Sequence, residues 1–526
     1  MDIEPAAPRT RLRRAEMLAA LSTAIDIGLG QPMDHMLRAA LIATTLADRI
    51  GLDATERATV YYATLVSWIG CHADSHEYAG IFGDDIEARA ASYAVEWTGL
   101  PFARLLLRQV GRGRPPVERA WGLTTLFATS GRELVAVIRS HCRSATALAA
   151  EIGLSARVAT ALRDTFERWD GKGAPRGIHG TDLAIEMRVA QVADIAEVWL
   201  RVHGPDACRN MVRTRRGTQF DPRIADAFLA EADHWTGITA IDDVWTAALD
   251  QAPDGDRILD AEQLDHLVTA AGDFADAKCP FTLGHSRGVA GLAVDAGRRS
   301  GLDRTAIEHL RRAGHLHDLG RIGVSNAIWE KKTALSASEW ERLRLYPYLS
   351  ERVLRRVPGL ETEAALAAAH RERLDGSGYP HGLSGEQLTT AQRILATADC
   401  AHTWREGRPH RAPLSDAAIA ESLREQARAG RLDPQAVDAV IAALGQPVHR
   451  RSPWPDGLTG REVEILRLMA RAFSNRQIAA RLHLSEKTVR NHVEHIYLKL
   501  GVTNRVGAGL YAVHHGLAEE FPHTRE

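Results

Sequence analysis

Two stretches of this chain are copies of one another: Arg168-Trp-Asp-Gly-Lys-Gly-Ala-Pro-Arg-Gly-Ile-His-Gly180 and Arg373-Leu-Asp-Gly-Ser-Gly-Tyr-Pro-His-Gly-Leu-Ser-Gly385. The register continues downstream, pairing Arg188 with Arg393 and Asp194 with Asp399. An internal repeat of this kind constrains the chain to two successive versions of one unit. Upstream, His35 lies as far before Ser67 as His285 lies before His317. The first copy then carries extra residues, placed across much of Glu77 to Trp121.

Apolar residues recur mostly at helical spacing and alternating segments are scarce, so the expected fold class is all-α. A 45% apolar and 25% charged composition excludes a disordered chain. Gly and Pro cluster at Arg112–Pro116, Gly171–Gly180 and Gly376–Gly385, and the Pro-rich run Gln446–Gly457 reads as a linker. Beyond it the balance turns basic: residues 451–510 carry ten Lys and Arg against five Asp and Glu. These breaks predict a first copy over 1–250, a second over 255–445, a linker over 446–457 and a last domain over 458–520.

The five cysteines are odd in number and never form C-x-x-C, which argues against a disulfide framework or zinc ribbon and fits a reducing cytoplasm. No run of eighteen apolar residues is present to span a bilayer, so no membrane partner is expected. Arg11, Arg13 and Arg14 precede the apolar stretch Met17 to Leu29, but Asp26 interrupts it and no cleavage site follows. An amphipathic helix is expected there.

The second copy holds metal-ligand chemistry. His315-Leu-His-Asp-Leu-Gly-Arg-Ile-Gly323 places a His317-Asp318 pair on an expected helix, His285 sits one helix earlier, and Asp399 ends the apolar helix Ile394 to Ala398. Imidazoles and carboxylates gathered from three helices suit one divalent transition metal, iron, manganese or zinc, and suit calcium poorly.

These residues resemble the HD-GYP branch of the HD phosphohydrolase superfamily over roughly 270–445, with the HD pair at His317-Asp318 and the GYP signature at Gly378-Tyr379-Pro380. The resemblance implies an all-helical, metal-dependent phosphodiesterase, often acting on cyclic di-GMP. It assigns His285, His317, Asp318 and Asp399 to a first metal and His370 to a second. Asp318 and Arg321 take the catalytic positions, and Arg371, Gly376, Gly378 and Tyr379 face the nucleotide, the glycines letting backbone approach phosphate. The chain departs from the pattern at Tyr346-Pro347, where the family has a histidine before proline, at His370-Arg371, where it has paired histidines, and at Arg321, where it has lysine. The first-metal set is intact and the second is depleted; Arg371 offers a planar cation able to neutralise a bound phosphate in place of the missing metal.

The first copy reads Ser67-Trp68 at the HD position and Thr165-Phe166 at the paired-histidine position, neither useful to a metal. It keeps His35 and Asp194, and has His141 where the second has Tyr346. Cys71-His-Ala-Asp-Ser-His76 is a source of replacement ligands, but the favoured expectation is a silent pseudo-domain used for ligand sensing or dimer contacts.

In the basic end, Thr459-Gly-Arg-Glu462 and Ser474-Asn-Arg-Gln477 are capping boxes that open two short helices. Ser485 opens a third helix with Val489, Val493, Ile496 and Leu500 on one face and Lys487, Arg490, Asn491 and Glu494 on the other, the layout of a recognition helix. These segments, with Lys499-Leu-Gly-Val502, resemble the LuxR/GerE-type family, which implies a four-helix domain binding double-stranded DNA as a homodimer. By residue type, Arg490 and Asn491 read base edges, Lys487, Lys499 and Arg505 contact phosphates, and Thr488 and His492 position the helix. Two functions remain open: a transcription regulator whose tandem HD-like region senses a small molecule or nucleotide, and a metal-dependent phosphohydrolase with a DNA-binding tail.

Overall fold

The computed structural model describes residues 12–517 apart from 98, 113, 129–131 and 448–453. Arg11, half of the expected linker and residues 518–520 thus lie outside the described residues. Among the described residues there are helices and no β-strand, as the apolar spacing predicts. Met1–Gln446 forms one compact unit and Pro447–Glu526 another.

Helix starts in the first unit are written locally. Asp53 accepts from the backbone N–H of Glu56, whose carboxylate accepts in return from that of Asp53, opening Ala54–Leu65. Asp260 with Gln263 and Thr389 with Gln392 do the same for Ala261–Asp276 and Thr390–Arg405. Each such cap is worth about 1 kcal/mol. In the first half, His35–Arg49 packs on Ala54–Leu65 and Ile185–His203; in the second, His285–Arg299 packs on Arg304–Leu316 and Thr390–Arg405.

One apolar core runs from Leu12 through Ala367, so the halves share their interior. The helix Arg14–Gly28 lies within it. Expected to be amphipathic, this helix instead buries every residue except Ile27, because it packs against both His35–Arg49 of the first half and the turn Leu319–Gly323 of the second. Its Asp26 is accommodated by accepting the Met36 N–H at 3.1 Å.

A buried ionic node also joins the halves. Asp85, fully buried, accepts from Lys278 Nζ at 3.0 Å, Arg89 Nη1 at 3.0 Å, Ser325 Oγ at 2.7 Å and the Asn326 N–H at 2.9 Å. Burial alone would raise the Asp85 carboxyl, but the two cations hold it well below the usual carboxylate range.

The duplicated loops are built alike. Glu167 accepts the Arg176 N–H at 2.7 Å and Glu372 the His381 N–H at 2.7 Å. A Cβ on Gly173 or Gly378 would come within 2.5 or 2.4 Å of the backbone nitrogen of Arg168 or Arg373. Both glycines therefore close the loop on itself.

In the second unit, helices Gly460–Ala470, Asn475–Leu482, Glu486–Leu500 and Arg505–His514 enclose a small core centred on Val463, Leu466, Ile478, Val489 and Ile496. Both capping boxes form as the sequence predicts.

Candidate metal centre and nucleic-acid interface

His285 is the first residue of His285–Arg299, so its ring points off a helix end into the bundle. The His317-Asp318 pair, expected within a helix, instead sits where Arg304–Leu316 stops, and Asp399 lies in the middle of Thr390–Arg405 rather than at its end. The helix continues because nothing after Ala398 breaks it: Asp399 to Arg405 contains no Gly or Pro.

These side chains converge and are buried. His285, His317 and Asp318 present ligand atoms within 4.8 Å of one another. His285 Nε2 is 3.3 Å from His317 Nε2, 3.4 Å from Asp399 Oδ1 and 3.6 Å from Asp318 Oδ2. His317 Nδ1 donates to the Gly314 carbonyl at 2.8 Å, which leaves Nε2 with its lone pair toward the cluster. Asp318 Oδ1 has no hydrogen-bond partner although buried. An orphaned carboxylate oxygen beside two imidazole nitrogens and a second carboxylate is an N/O donor set that fits a divalent transition metal.

The charges agree. Burial would raise the carboxyl of Asp318 and lower the imidazole of His285; instead Asp318 is held far below the usual carboxylate range by His317, Arg321 and His285, while the carboxylates of Asp399, Glu406 and Asp318 push His285 up to about 10. His370 is pushed down to about 3, chiefly by burial and also by its cationic neighbours, so it is neutral.

Arg321, placed by the sequence in a catalytic role, is locked: Nη1 donates to Asp318 Oδ2 at 2.9 Å and the guanidinium lies 3.9 Å from the Trp329 ring centre. It positions the carboxylate. Glu406 and His402 were not singled out in the sequence, yet Glu406 Oε1 accepts from His285 Nδ1 at 2.8 Å and lies 3.2 Å from His402 Nδ1. His402 lies on the helix three residues after Asp399, a spacing that was readable, and Glu406 is the extended residue that ends the helix.

The expected second-metal position is filled by protein. Tyr346 Oη is 2.7 Å from His370 Nε2 and accepts from Arg371 Nε at 2.6 Å, and the Arg371 guanidinium reaches both Asp399 oxygens at 3.3 Å. Tyr379 packs beside Tyr346, and Gly376 takes φ +76°, a turn conformation that favours glycine. Gly378 is enclosed by its own loop backbone, so its missing side chain serves loop closure where the resemblance suggested phosphate approach.

In the first half, His35 is held on both ring nitrogens by carboxylates. His35 Nε2 is 2.9 Å from Asp194 Oδ1 and its Nδ1 is 2.5 Å from Glu197 Oε2. Trp68 Nε1 donates to Asp194 Oδ2 at 3.0 Å and Tyr93 Oη to Oδ1 at 3.2 Å. The stretch Cys71 to His76 disperses: His72 packs on Phe274, Asp74 faces His141 and His76 pairs with Glu330.

On the C-terminal unit, Lys487, Arg490, Asn491 and Glu494 are exposed along Glu486–Leu500, with Val489, Val493 and Ile496 buried behind them. Thr488 and His492 are half-buried, and Thr488 meets the capping Ser485. Lys499 Nζ instead clips Glu462 at 2.7 Å and the Gly457 carbonyl at 2.9 Å, and Arg505 donates to the Phe473 carbonyl.

Two family models match the chain: an HD domain over 270–436 and the luxR family of bacterial regulatory proteins over 456–512. The 3'3'-cGAMP-specific phosphodiesterase 3 of Vibrio cholerae is 28% identical over 435 residues, covering 82% of this chain and 94% of that protein. The 3'3'-cGAMP-specific phosphodiesterase 1 of the same organism is 31% identical over 193 residues, covering 37% of this chain and 45% of that relative. The cyclic di-GMP phosphodiesterase response regulator RpfG of Xanthomonas campestris is 31% identical over 189 residues, 35% of this chain and 48% of that relative. Among solved structures, a cyclic GMP-AMP specific phosphodiesterase of V. cholerae, V-cGAP3, shares the fold with a TM-score of 0.57 at 24% identity, over 85% of this chain and all of that one. The chain thus joins an HD domain, homologous to that of the HD-GYP cyclic GMP-AMP phosphodiesterases, to a luxR-family helix-turn-helix domain.

Proposed function

We propose that the chain is a DNA-binding transcription regulator whose HD domain holds one divalent transition metal, iron, manganese or zinc, and uses it to bind a cyclic dinucleotide. The carrying observation is the convergence of His285, His317, Asp318 and Asp399 around an unpartnered Asp318 oxygen, beside a second position closed by Tyr346 and Arg371. A metal there would supply Lewis-acid polarisation of a phosphoryl group. Arg321 holds Asp318, Glu406 holds His285 and the Gly314 carbonyl holds His317 in ligating orientation. A second cation would have to displace the Arg371 guanidinium and free His370 from the Tyr346 hydroxyl, so this reading expects binding with slow turnover.

The tail supports the regulatory half. Arg490 and Asn491, exposed on the recognition helix, are the residue types that pair bidentately with guanine and adenine, and the exposed Lys487 offers a charge for phosphate. Lys499 and Arg505 would have to leave their internal partners to touch DNA. Leu498, Val506, Leu510 and Val513 are exposed apolar residues on the last two helices and support a homodimer. The paired contacts of His35 with Asp194 and His285 with Asp399, and the matched loops, support a degenerate first copy over 1–250 before the HD copy over 255–445.

A second reading, a metal-dependent phosphodiesterase with a DNA-binding tail, is favoured by the activities named for the relatives. One experiment separates the two. The full chain, loaded with iron, manganese or zinc, is titrated with 3'3'-cGAMP and cyclic di-GMP while product formation and binding to selected DNA fragments are followed. The regulator reading expects one metal per chain and a nucleotide-dependent change in DNA affinity. Rapid multiple turnover requiring two metals per chain would replace it with the second reading.

A further inference from the structure

The first half holds a cavity apart from the HD site. The repeat register places Trp68 opposite Asp318 and Phe166 opposite Arg371, and the space around them opens into a cavity of about 310 Å³. Trp97 and Phe102, from the segment that the sequence reads as an insertion, complete an aromatic wall. Phe166 meets Trp68 and Trp97 at ring-centre distances of 5.3 Å, and Trp97 and Phe102 lie nearly parallel at 6.3 Å.

Several polar groups break the apolar lining; among them His141 and Arg168 carry unpartnered nitrogens, and Asp74 carries two unpartnered oxygens on a carboxyl that burial raises to about 7. His141, 2% exposed, has no partner at Nε2 and faces Asp74 with Nδ1 at 3.7 Å. Arg168, 4% exposed, is fixed through Nε and Nη2 to Asp170 and Glu96, yet its Nη1 has no partner. A buried polar atom left unpaired is destabilising, so both nitrogens favour a ligand that completes them. Lys172, largely exposed, adds a positive charge to the lining.

We propose that this cavity is a binding site for a planar aromatic acid, its rings against Trp68, Trp97 and Phe166 and its carboxylate and polar edge completing Arg168 and His141. The site is separate from the HD centre and rests on none of its metal chemistry. Contacts run from it toward that centre: Arg89 lines the cavity and pairs with Asp85, which accepts from Lys278 and from Ser325 and Asn326, the last two a few residues beyond Asp318 and Arg321.

The test uses the full chain and naphthalene-2-carboxylate as probe, followed by calorimetry and tryptophan fluorescence. Saturable binding of one probe per chain is expected, undisturbed by saturating 3'3'-cGAMP. His141→Phe keeps the ring packing and removes Nε2, and should weaken binding about tenfold. Leu134→Trp fills the cavity and should abolish it. If Leu134→Trp fails to fold, as judged by its denaturation curve, His141→Phe carries the test alone. Absence of saturable binding to the unmodified chain, displacement of the probe by 3'3'-cGAMP, or unchanged affinity in a folded variant would each overturn the proposal.

Discussion

Asp85→Ala should be among the most destabilising single substitutions in the first unit, and its size follows from the contacts. The carboxylate neutralises two buried cations and accepts from two neutral donors. Arg89 keeps a second partner, the Cys71 carbonyl at 2.6 Å, so the heavier loss falls on Lys278, whose side chain is 0% exposed. Removing one member of a buried ion pair costs about 3–5 kcal/mol. Lys278 could escape by shedding its proton, and at pH 7 that costs ~4.6 kcal/mol from an ordinary lysine pKa of about 10.4, which caps its share near the same figure. A loss of about 4 kcal/mol is therefore expected by urea titration at pH 7 monitored by circular dichroism. Asp85→Ala combined with Lys278→Met should recover most of it, because the stranded charge is gone. The pH dependence has a definite sign: the folded-state pKa of Asp85 is depressed, so its contribution is present above about pH 4 and fades as pH falls toward the folded value. A loss below about 1 kcal/mol for Asp85→Ala, or a double variant no better than the single, would refute the reasoning.

Asp318→Asn should abolish metal binding, read as metal per chain after dialysis, because it removes an anionic ligand from the centre of the cluster. Tyr346→His combined with Arg371→His should raise metal content above one per chain, by freeing His370 Nε2 and removing a fixed cation; unchanged content would detach these two residues from the second position. Arg490→Ala should cost roughly 1–3 kcal/mol on a selected DNA site and relax its sequence preference; an unchanged preference by competition binding would remove Arg490 from base readout. For His35, whose pKa is raised to about 10 against the lowering effect of burial, the stabilising contribution is full below about pH 6.5 and is lost as pH climbs through 10. The wild-type chain should weaken across that window by thermal denaturation, and His35→Gln should flatten the slope.

Much of this was legible where the signal is local. Thr459 with Glu462 and Ser474 with Gln477 announce helix starts whatever surrounds them, and the helix class of the whole chain follows from spacing. His285, His317, Asp318 and Asp399 were picked out by their ligand chemistry, with the repeat register pairing only His285 and Asp399 with like residues, His35 and Asp194, and the fold brings the four together. The Arg14–Gly28 helix was misjudged because its composition, apolar with a few charges, is the same for a surface helix and for one clasped on all sides. Its environment is set by a partner turn three hundred residues away. Asp85 and Lys278 are likewise ordinary surface residue types until folding brings them together across 193 positions of sequence. The cavity was invisible for the same reason: the insertion reads as spacer, and only its path beside Phe166 turns Trp97 and Phe102 into a wall.

The arrangement around His35 bears on how such a chain lives with metal scarcity. In the first half the centre of charge is a proton, held between Asp194 and Glu197 and roofed by the Trp68 indole and the Tyr93 hydroxyl. A proton is never in short supply and no chelator removes it. The second half carries a similar device in His285, where the proposed metal would take the place of the proton. On the proposed function, loss of metal from the HD centre would leave a buried, protonated His285 between carboxylates, the arrangement the first half already holds around His35, where for a zinc finger metal loss would decide whether the molecule folds at all.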